Sequence, residues 1–243
     1  MTQQGISITV PAYNEEKYLP ATLTSINDAR KFFEASLNRP TEVIVVNNAS
    51  TDLTKQVATE FGAIVIDHPI RNISSVRNAG IRAATHNLIV TIDADCFLPK
   101  DSLVQIWNFM KDETHLGGAL GVRVITDKRS VKIIAAILQA LAVQNSGIYG
   151  GMFFFLKDSA LAIGGFREDR LIAEDAAFAI DMRAHGKLSG KKFGRLKSVQ
   201  VGTLDRKDSG LGTLISLIGQ IFKAFSGVKQ KPEDLPFWYD PKR

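Results

Sequence analysis

The stretch NLIVTIDADCFLPKD (87–101) decides how the chain is read. Leu88 to Ile92 form an apolar run of strand length, and the chain leaving it presents Asp93 and Asp95 with only Ala94 between them. A near-continuous apolar run is what a strand covered on both faces looks like. Two carboxylates this close raise each other's pKa and resist burial together. A divalent cation removes the conflict. Hard oxygen ligands suit Mg²⁺ or Mn²⁺, and Mg²⁺ in particular is held by one or two carboxylates together with the phosphates of a substrate. Asp93 and Asp95 therefore predict a metal and a diphosphate-bearing ligand at a strand end. An Asp-x-Asp is also common in solvated loops, so the surrounding sequence has to decide between the two.

Upstream, short β-rich runs alternate with helical patterns. ISITVP (6–11), EVIVVN (42–47), AIVID (63–67) and NLIVTID (87–93) read as strands. Residues 15–35, 50–62 and 73–86 between them, and 101–113 after them, read as helices. This alternation argues an open, mostly parallel α/β sheet with helices on both faces. Ser50, Thr51 and Asp52 are N-cap candidates for the second helix, Gly62 is its C-cap candidate, and Ser74 can cap the third. In such sheets ligands bind at the carboxyl ends of the strands. Pro11 to Glu15, Asn47, Asn48, Asp67, His68, Asp93 and Asp95 fall at those ends and are expected to share one rim.

Downstream the pattern changes. LGGALGVRVIT (116–126) reads as a strand and SVKIIAAILQALAVQNSG (130–147) as an apolar helix. Residues 148–166 read as strand, turn, short helix and glycine turn, and AEDAAFAIDMRAHG (173–186) as a helix. Phe153 to Phe155 are assigned to the core. No linker interrupts 1–205, which is taken as one folded unit. Residues 206–243 form a basic segment in which Leu211, Leu214, Ile215, Ile218, Phe222 and Phe225 share one helical face. Such a helix either packs on the body of the protein or lies on a membrane surface.

The formal charge of +5 is uneven: residues 187–243 hold 12 Lys+Arg against 5 Asp+Glu, a net of +7, and the rest of the chain is slightly acidic. Blocky positive charge of this kind suits an anionic surface or ligand. It lacks the interleaved aromatics of a nucleic-acid platform, so no nucleic-acid partner is expected. The single cysteine, Cys96, cannot form an internal disulfide and is read as a small buried side chain rather than a nucleophile. The first residues lack a basic start with an apolar run, and no stretch has the roughly 20 apolar residues of a spanning helix. The expectation is a cytoplasmic protein, either free or at the inner face of the membrane. The histidines at 68, 86, 115 and 185 have no mutual metal-ligand spacing.

VPAYNEE (10–16), VVNNASTD (45–52), SVRNAGIRAA (75–84), TIDADC (91–96), GGMFFFLKDSALAIGGF (150–166) and AEDAAFAIDMRAHG (173–186) occur in order and spacing that resemble family 2 glycosyltransferases. The resemblance covers roughly residues 5–190 and implies the GT-A fold, a Rossmann-like open sheet. It also implies a nucleotide-diphosphate sugar donor over 1–113, an acceptor over 114–205, and Mn²⁺ or Mg²⁺. By position, Pro11, Tyr13 and Glu15 resemble first-strand nucleotide contacts, with Tyr13 able to lie against the base. Arg77 is similar to the basic residue near the nucleotide, Asp93 to the aspartate facing the ribose, and Asp95 to the aspartate on the metal. Glu174 and Asp175 resemble the acidic pair that supplies the catalytic base, with Asp175 as the base. Gly151 resembles the glycine bordering donor sugar and acceptor, and Arg206 a basic residue over the diphosphate.

One departure from the family pattern stands out. Asn47 and Asn48 replace the two aspartates that many members carry, and an amide both donates and accepts where a carboxylate only accepts. The base, whether uridine, guanosine or another, is therefore left open. So is the acceptor, which is a hydroxyl or phosphate, lipid-linked or soluble. A non-catalytic nucleotide-sugar sensor that keeps the same rim is the alternative to an enzyme.

Overall fold

The chain enters as β1 (Ile6–Ala12), continues through α1 (Leu19–Leu37), and returns as β2 (Thr41–Asn47). It then runs α2 (Thr54–Glu60), β3 (Ile64–Asp67), α3 (Ile73–Ala83) and β4 (Leu88–Thr91), the α/β alternation expected of the first half. The short β5 (Cys96–Phe97), α4 (Ser102–Met110) and β6 (His115–Ile125) follow. The second half is completed by β7 (Phe153–Leu156), α5 (Lys157–Ala162), α6 (Glu174–Leu188) and β8 (Lys192–Leu204). The computed structural model describes residues 4–128, 152–170 and 173–204. The expected helix at 130–147, Gly151 and the basic segment 206–243 lie outside the described residues.

These strands form one sheet in the order β3-β2-β1-β4-β7-β6-β8-β5. β1 to β4 are parallel, with Ala12 opposite Asn47 and Asn47 opposite Asp67, so their carboxyl ends make one edge. β7 enters antiparallel between β4 and β6, and β8 runs parallel to β6. The sheet is thus parallel in its first half and mixed in its second.

Each sheet face carries its own core. On one side Ile6, Ile8 and Val10 of β1 and Val90 of β4 meet Leu19, Leu23, Ile26 and Phe33 of α1 and Leu103 and Ile106 of α4. The α1 positions recur at helical spacing, the stripe a helix needs to lie on a sheet. On the other side Ile44, Val46 and Ile89 meet Val76 and Ile81 of α3 and Phe178 and Met182 of α6. The three phenylalanines of β7 alternate between these cores: Phe154 joins the first, Phe153 and Phe155 the second. All three are fully buried, as their assignment to the core requires. Phe166 stacks on Phe178 at 4.1 Å and 9°, fixing the turn before α6 against that helix.

Helix α1 begins at Leu19, not near residue 15. Pro20 lacks an N–H and is accommodated only in the first turn, and the N–H groups of Glu15 and Glu16 are taken by the side chains of Thr54, at the start of α2, and Asp52, in the loop before it. The third helix is capped by Asn72, whose side chain accepts from Ser75 N–H at 3.0 Å, while Ser74 is buried and is not the cap. Gly62, at φ +75°, follows α2 as expected. Neither β5 nor β8 is evident in the sequence pattern. In β8 the register against β6 jumps from Leu120 opposite Leu196 to Gly121 opposite Gln200. That irregularity breaks the alternation by which a strand is recognised.

Candidate active site

The rim at the carboxyl ends of β1 and β2 is braced across its two loops. Asn14 N–H donates to Ser50 Oγ at 3.1 Å, Thr51 N–H to Asn14 Oδ1 at 2.9 Å, and Glu15 N–H to Thr54 Oγ1 at 2.7 Å. Glu16 N–H donates to Asp52 at 3.1 Å, and Leu53 N–H returns to Glu16 at 2.9 Å. Asn14 and Ala49 sit at φ +51° and +53°. An alanine in the left-handed region is uncommon, and such backbone concentrates at ligand sites.

Pro11 is buried in β1 opposite Val46. Tyr13 is half-buried, with the Arg71 guanidinium 4.0 Å from its ring centre. Arg71 was not singled out in the sequence; an exposed arginine in a loop carries no pattern. Asn47 is buried, donating from Nδ2 to Asp67 Oδ1 at 2.9 Å. The amide thus holds a carboxylate on the neighbouring strand end, and Lys55 Nζ pairs with that carboxylate's other oxygen at 2.5 Å. Asn48 donates to the carbonyls of His68 and Ile70 at 3.0 and 2.7 Å, anchoring the β3–α3 loop.

Beyond β4 the chain turns through Asp93, Ala94 and Asp95. Thr22 of α1, fully buried, donates to the Ala94 carbonyl at 2.8 Å and holds the turn from below. Ligand atoms of Asp93, Asp95 and Cys96 lie within 4.8 Å of one another. Cys96 is buried, and burial together with the charges of Asp93 and Asp95 pushes its thiol well above the ordinary value. It stays protonated and points at Asp95 Oδ1, 3.3 Å away. The thiol is neither nucleophile nor hard-metal ligand, which leaves the two carboxylates as an oxygen donor set that fits Mg²⁺ or Mn²⁺.

Across from this turn is the acidic pair at the start of α6. Arg77, on α3, reaches both sides: Nη1 donates to Glu174 at 2.6 Å and Nη2 to Asp93 at 3.0 Å. Its side chain is 5% exposed, so these bonds are made in low dielectric. Burial opposes the charge on Arg77, but Asp93, Glu174 and Asp175 outweigh it and hold the guanidinium above its ordinary value. Burial raises the Glu174 and Asp175 carboxyls; Arg77 pulls both the other way without cancelling it, and Asp175 adds to the rise at Glu174 as Asp93 does at Asp175. Asp175 accepts from Ala176 N–H at 2.8 Å, and Ala173 before it sits at φ +57°. Carboxyls raised by burial and gathered beside an arginine next to the end of β4 make this cluster a candidate functional site.

The structure thus brings together Pro11, Tyr13, Glu15 and Asn47 on one stretch of rim, and Asp93, Arg77 and Glu174 in one bonded cluster, with Asp95 and Asp175 each adjacent in the chain. Gly151 and Arg206 lie outside the described residues. Asn78 was missed. Buried next to Arg77, it accepts from Phe166 N–H at 2.7 Å and donates to the Phe166 carbonyl and to Glu168, both at 2.8 Å. Its signal was the Arg-Asn pair in SVRNAG, two large polar residues side by side in α3.

Residues 7–161 match the family model described as "Glycosyl transferase family 2". The chain belongs to that family. It is 27% identical over 191 residues to the poly-β-1,6-N-acetyl-D-glucosamine synthase of Staphylococcus epidermidis, an alignment covering 72% of this chain and 44% of the relative. The chain thus spans less than half the length of that relative. Among solved structures it resembles the mannosyltransferase PcManGT of Pyrobaculum calidifontis in complex with GDP-Man and Mn²⁺. That match has a TM-score of 0.68 at 21% identity and covers 98% of this chain and 69% of that one. It also resembles S. aureus TarS in complex with UDP-GlcNAc (TM-score 0.67, 17% identity, covering 96% and 64%). At these identities the likeness establishes the GT-A fold. Among the described residues, no helix is long and apolar enough to cross a membrane.

Proposed function

We propose that this glycosyltransferase moves a sugar from a nucleoside diphosphate to a hydroxyl or phosphate acceptor with inversion at the anomeric carbon. The observation that carries the proposal is the single bonded cluster joining Asp93, beside Asp95, to Glu174, beside Asp175. Asp95 and Asp93 are the residues to hold Mn²⁺ or Mg²⁺, which when bound offsets the charge developing on the departing diphosphate. Tyr13, Pro11 and Glu15 form the wall for the base and ribose, with the Asn47–Asp67 pair at its far end; Gly151 and Arg206 are carried as donor contacts.

In the transfer step an acceptor oxygen bonds to the anomeric carbon from the face opposite the diphosphate. The bond from that carbon to the leaving oxygen breaks, and its electron pair stays with the diphosphate. The acceptor proton passes to Asp175. A carboxyl raised by burial is better matched to taking a proton than an ordinary aspartate, provided it is ionised when the acceptor arrives.

The similar structures carry UDP-GlcNAc and GDP-Man, so the donor is to be found by assay of a panel of uridine and guanosine diphosphate sugars with Mn²⁺. The net +7 of residues 187–243 and the spacing of apolar residues in the sequence of 211–225 support an acceptor presented at an anionic membrane, lipid-linked rather than free. Donor consumption by wild type and by Asp175→Asn tests the role of the base. Loss of turnover with donor binding retained supports it; equal rates in the two proteins remove Asp175 as base, and binding without turnover in wild type would indicate a sensor.

A further inference from the structure

Arg77 was expected beside the nucleotide, yet its side chain is committed elsewhere. One terminal nitrogen is bonded to Glu174, the other to Asp93, Nε is buried without a hydrogen-bond partner among the described residues, and the guanidinium lies 5.3 Å from the Phe166 ring centre. A guanidinium is always charged and its donors are fixed in a plane, so a fork that spans two carboxylates sets their separation. These two come from different halves of the chain: Asp93 follows β4 in the parallel half, while Glu174 opens α6 in the mixed half.

The same helix grips the chain leading into α6. Asn78 takes both backbone groups of Phe166, and Asn72 Nδ2 donates to the Glu168 carbonyl at 2.9 Å. Gly165 packs directly against the Asn78 side chain at φ +77°. From Asn72 to Asn78, α3 therefore works as a clamp whose last contact is Arg77 on Glu174.

We propose that Arg77 is a positioning residue, not a donor ligand: it fixes the first turn of α6, and with it Asp175, against the Asp93–Asp95 turn. This rests on the catalytic reading of Asp175 given above, and it assigns the spacing between metal-side and base-side carboxylates to one side chain on a third element. Lysine keeps the charge and loses the fork, so it holds one carboxylate at a time.

The test is Arg77→Lys, followed first by hydrogen exchange of the ligand-free protein. Exchange is expected to rise about tenfold or more in peptides covering 91–97 and 173–180, with β1 and β2 unchanged. Calorimetric titration with UDP and with GDP, each with Mn²⁺, is expected to change affinity less than about threefold, while kcat on the active donor falls tenfold or more and the donor KM is held. Affinity falling as far as kcat, with the 173–180 peptide unchanged, would overturn the proposal and make Arg77 a donor ligand. If Arg77→Lys loosens every strand, Glu174→Gln replaces it: faster exchange confined to 173–180 supports the clamp, and no change there overturns it. Absence of turnover in wild type would count against the transferase reading alone, since the exchange result needs no substrate.

Discussion

Two adjacent glycines offer a controlled test of the clamp between α3 and the segment entering α6. Gly164 and Gly165 sit at φ +81° and +77°, so alanine at either position meets the same backbone penalty, about 1–2 kcal/mol. Their surroundings differ. A Cβ on Gly164 meets nothing within 4 Å, whereas one on Gly165 lands on the Asn78 side-chain oxygen. That oxygen is the acceptor for Phe166 N–H, and the same amide donates to the Phe166 carbonyl, both in buried surroundings. Displacing it orphans buried polar groups, at about 1–3 kcal/mol beyond the backbone penalty. Gly164→Ala is expected to cost about 1–2 kcal/mol in total and Gly165→Ala about 2–5. At about 2–4 °C per kcal/mol for a chain of this size, the melting temperatures should fall by about 2–8 °C and by about 4–20 °C, with Gly165→Ala the lower of the two. Urea unfolding followed by circular dichroism measures both, with Asn78→Ala and Gly165→Ala/Asn78→Ala completing a cycle. The double variant should be little worse than Asn78→Ala plus the backbone penalty, because the obstruction is gone. Equal losses for the two glycines, or strict additivity in the cycle, would refute the clamp.

Thr22→Val keeps the shape of a buried side chain and removes its bond to the Ala94 carbonyl; it is expected to cost about 1–2 kcal/mol and to weaken Mn²⁺ binding measured by calorimetry, and an unchanged protein would show that α1 does not hold the Asp93–Asp95 turn. The Asp175 carboxyl is raised in the folded state by burial, so the fold binds its proton more tightly than the unfolded chain and its contribution to stability is lost as pH rises from the ordinary aspartate range through the raised value. Asp175→Asn should therefore melt above wild type at neutral pH, with the gap closing in acid; a variant less stable at neutral pH would contradict the sign. Vesicles of anionic lipid should float the full chain at low salt and release it at high salt, and failure to float would end the membrane-bound acceptor.

The parallel half was legible because burial on both faces writes itself as apolar runs, and because strand ends in such a sheet must share an edge. Asp93 and Asp95 stood out through their mutual repulsion, an electrostatic argument that needs only two positions with one residue between them. β8 escaped because Lys192, Arg195 and Lys197 interrupt its apolar residues and a register shift against β6 breaks the alternation. Arg77 was noticed for its charge, but the bridge it makes was not legible, since a single position cannot show that its two partners lie 16 and 97 residues away. Asn78 was hidden for the same reason: its value lies in the backbone of Phe166, which comes alongside only once the second half folds back.

The central claim is a divalent cation shared between protein carboxylates and the donor diphosphate at the end of β4. Crystals grown with MnCl₂ and the sugar nucleotide that most raises the melting temperature allow it to be located by anomalous scattering. A manganese peak is expected about 2.1 Å from an Asp95 oxygen, with diphosphate oxygens completing the shell. A bound donor with no peak beside Asp95, its carboxylate facing solvent, would contradict it.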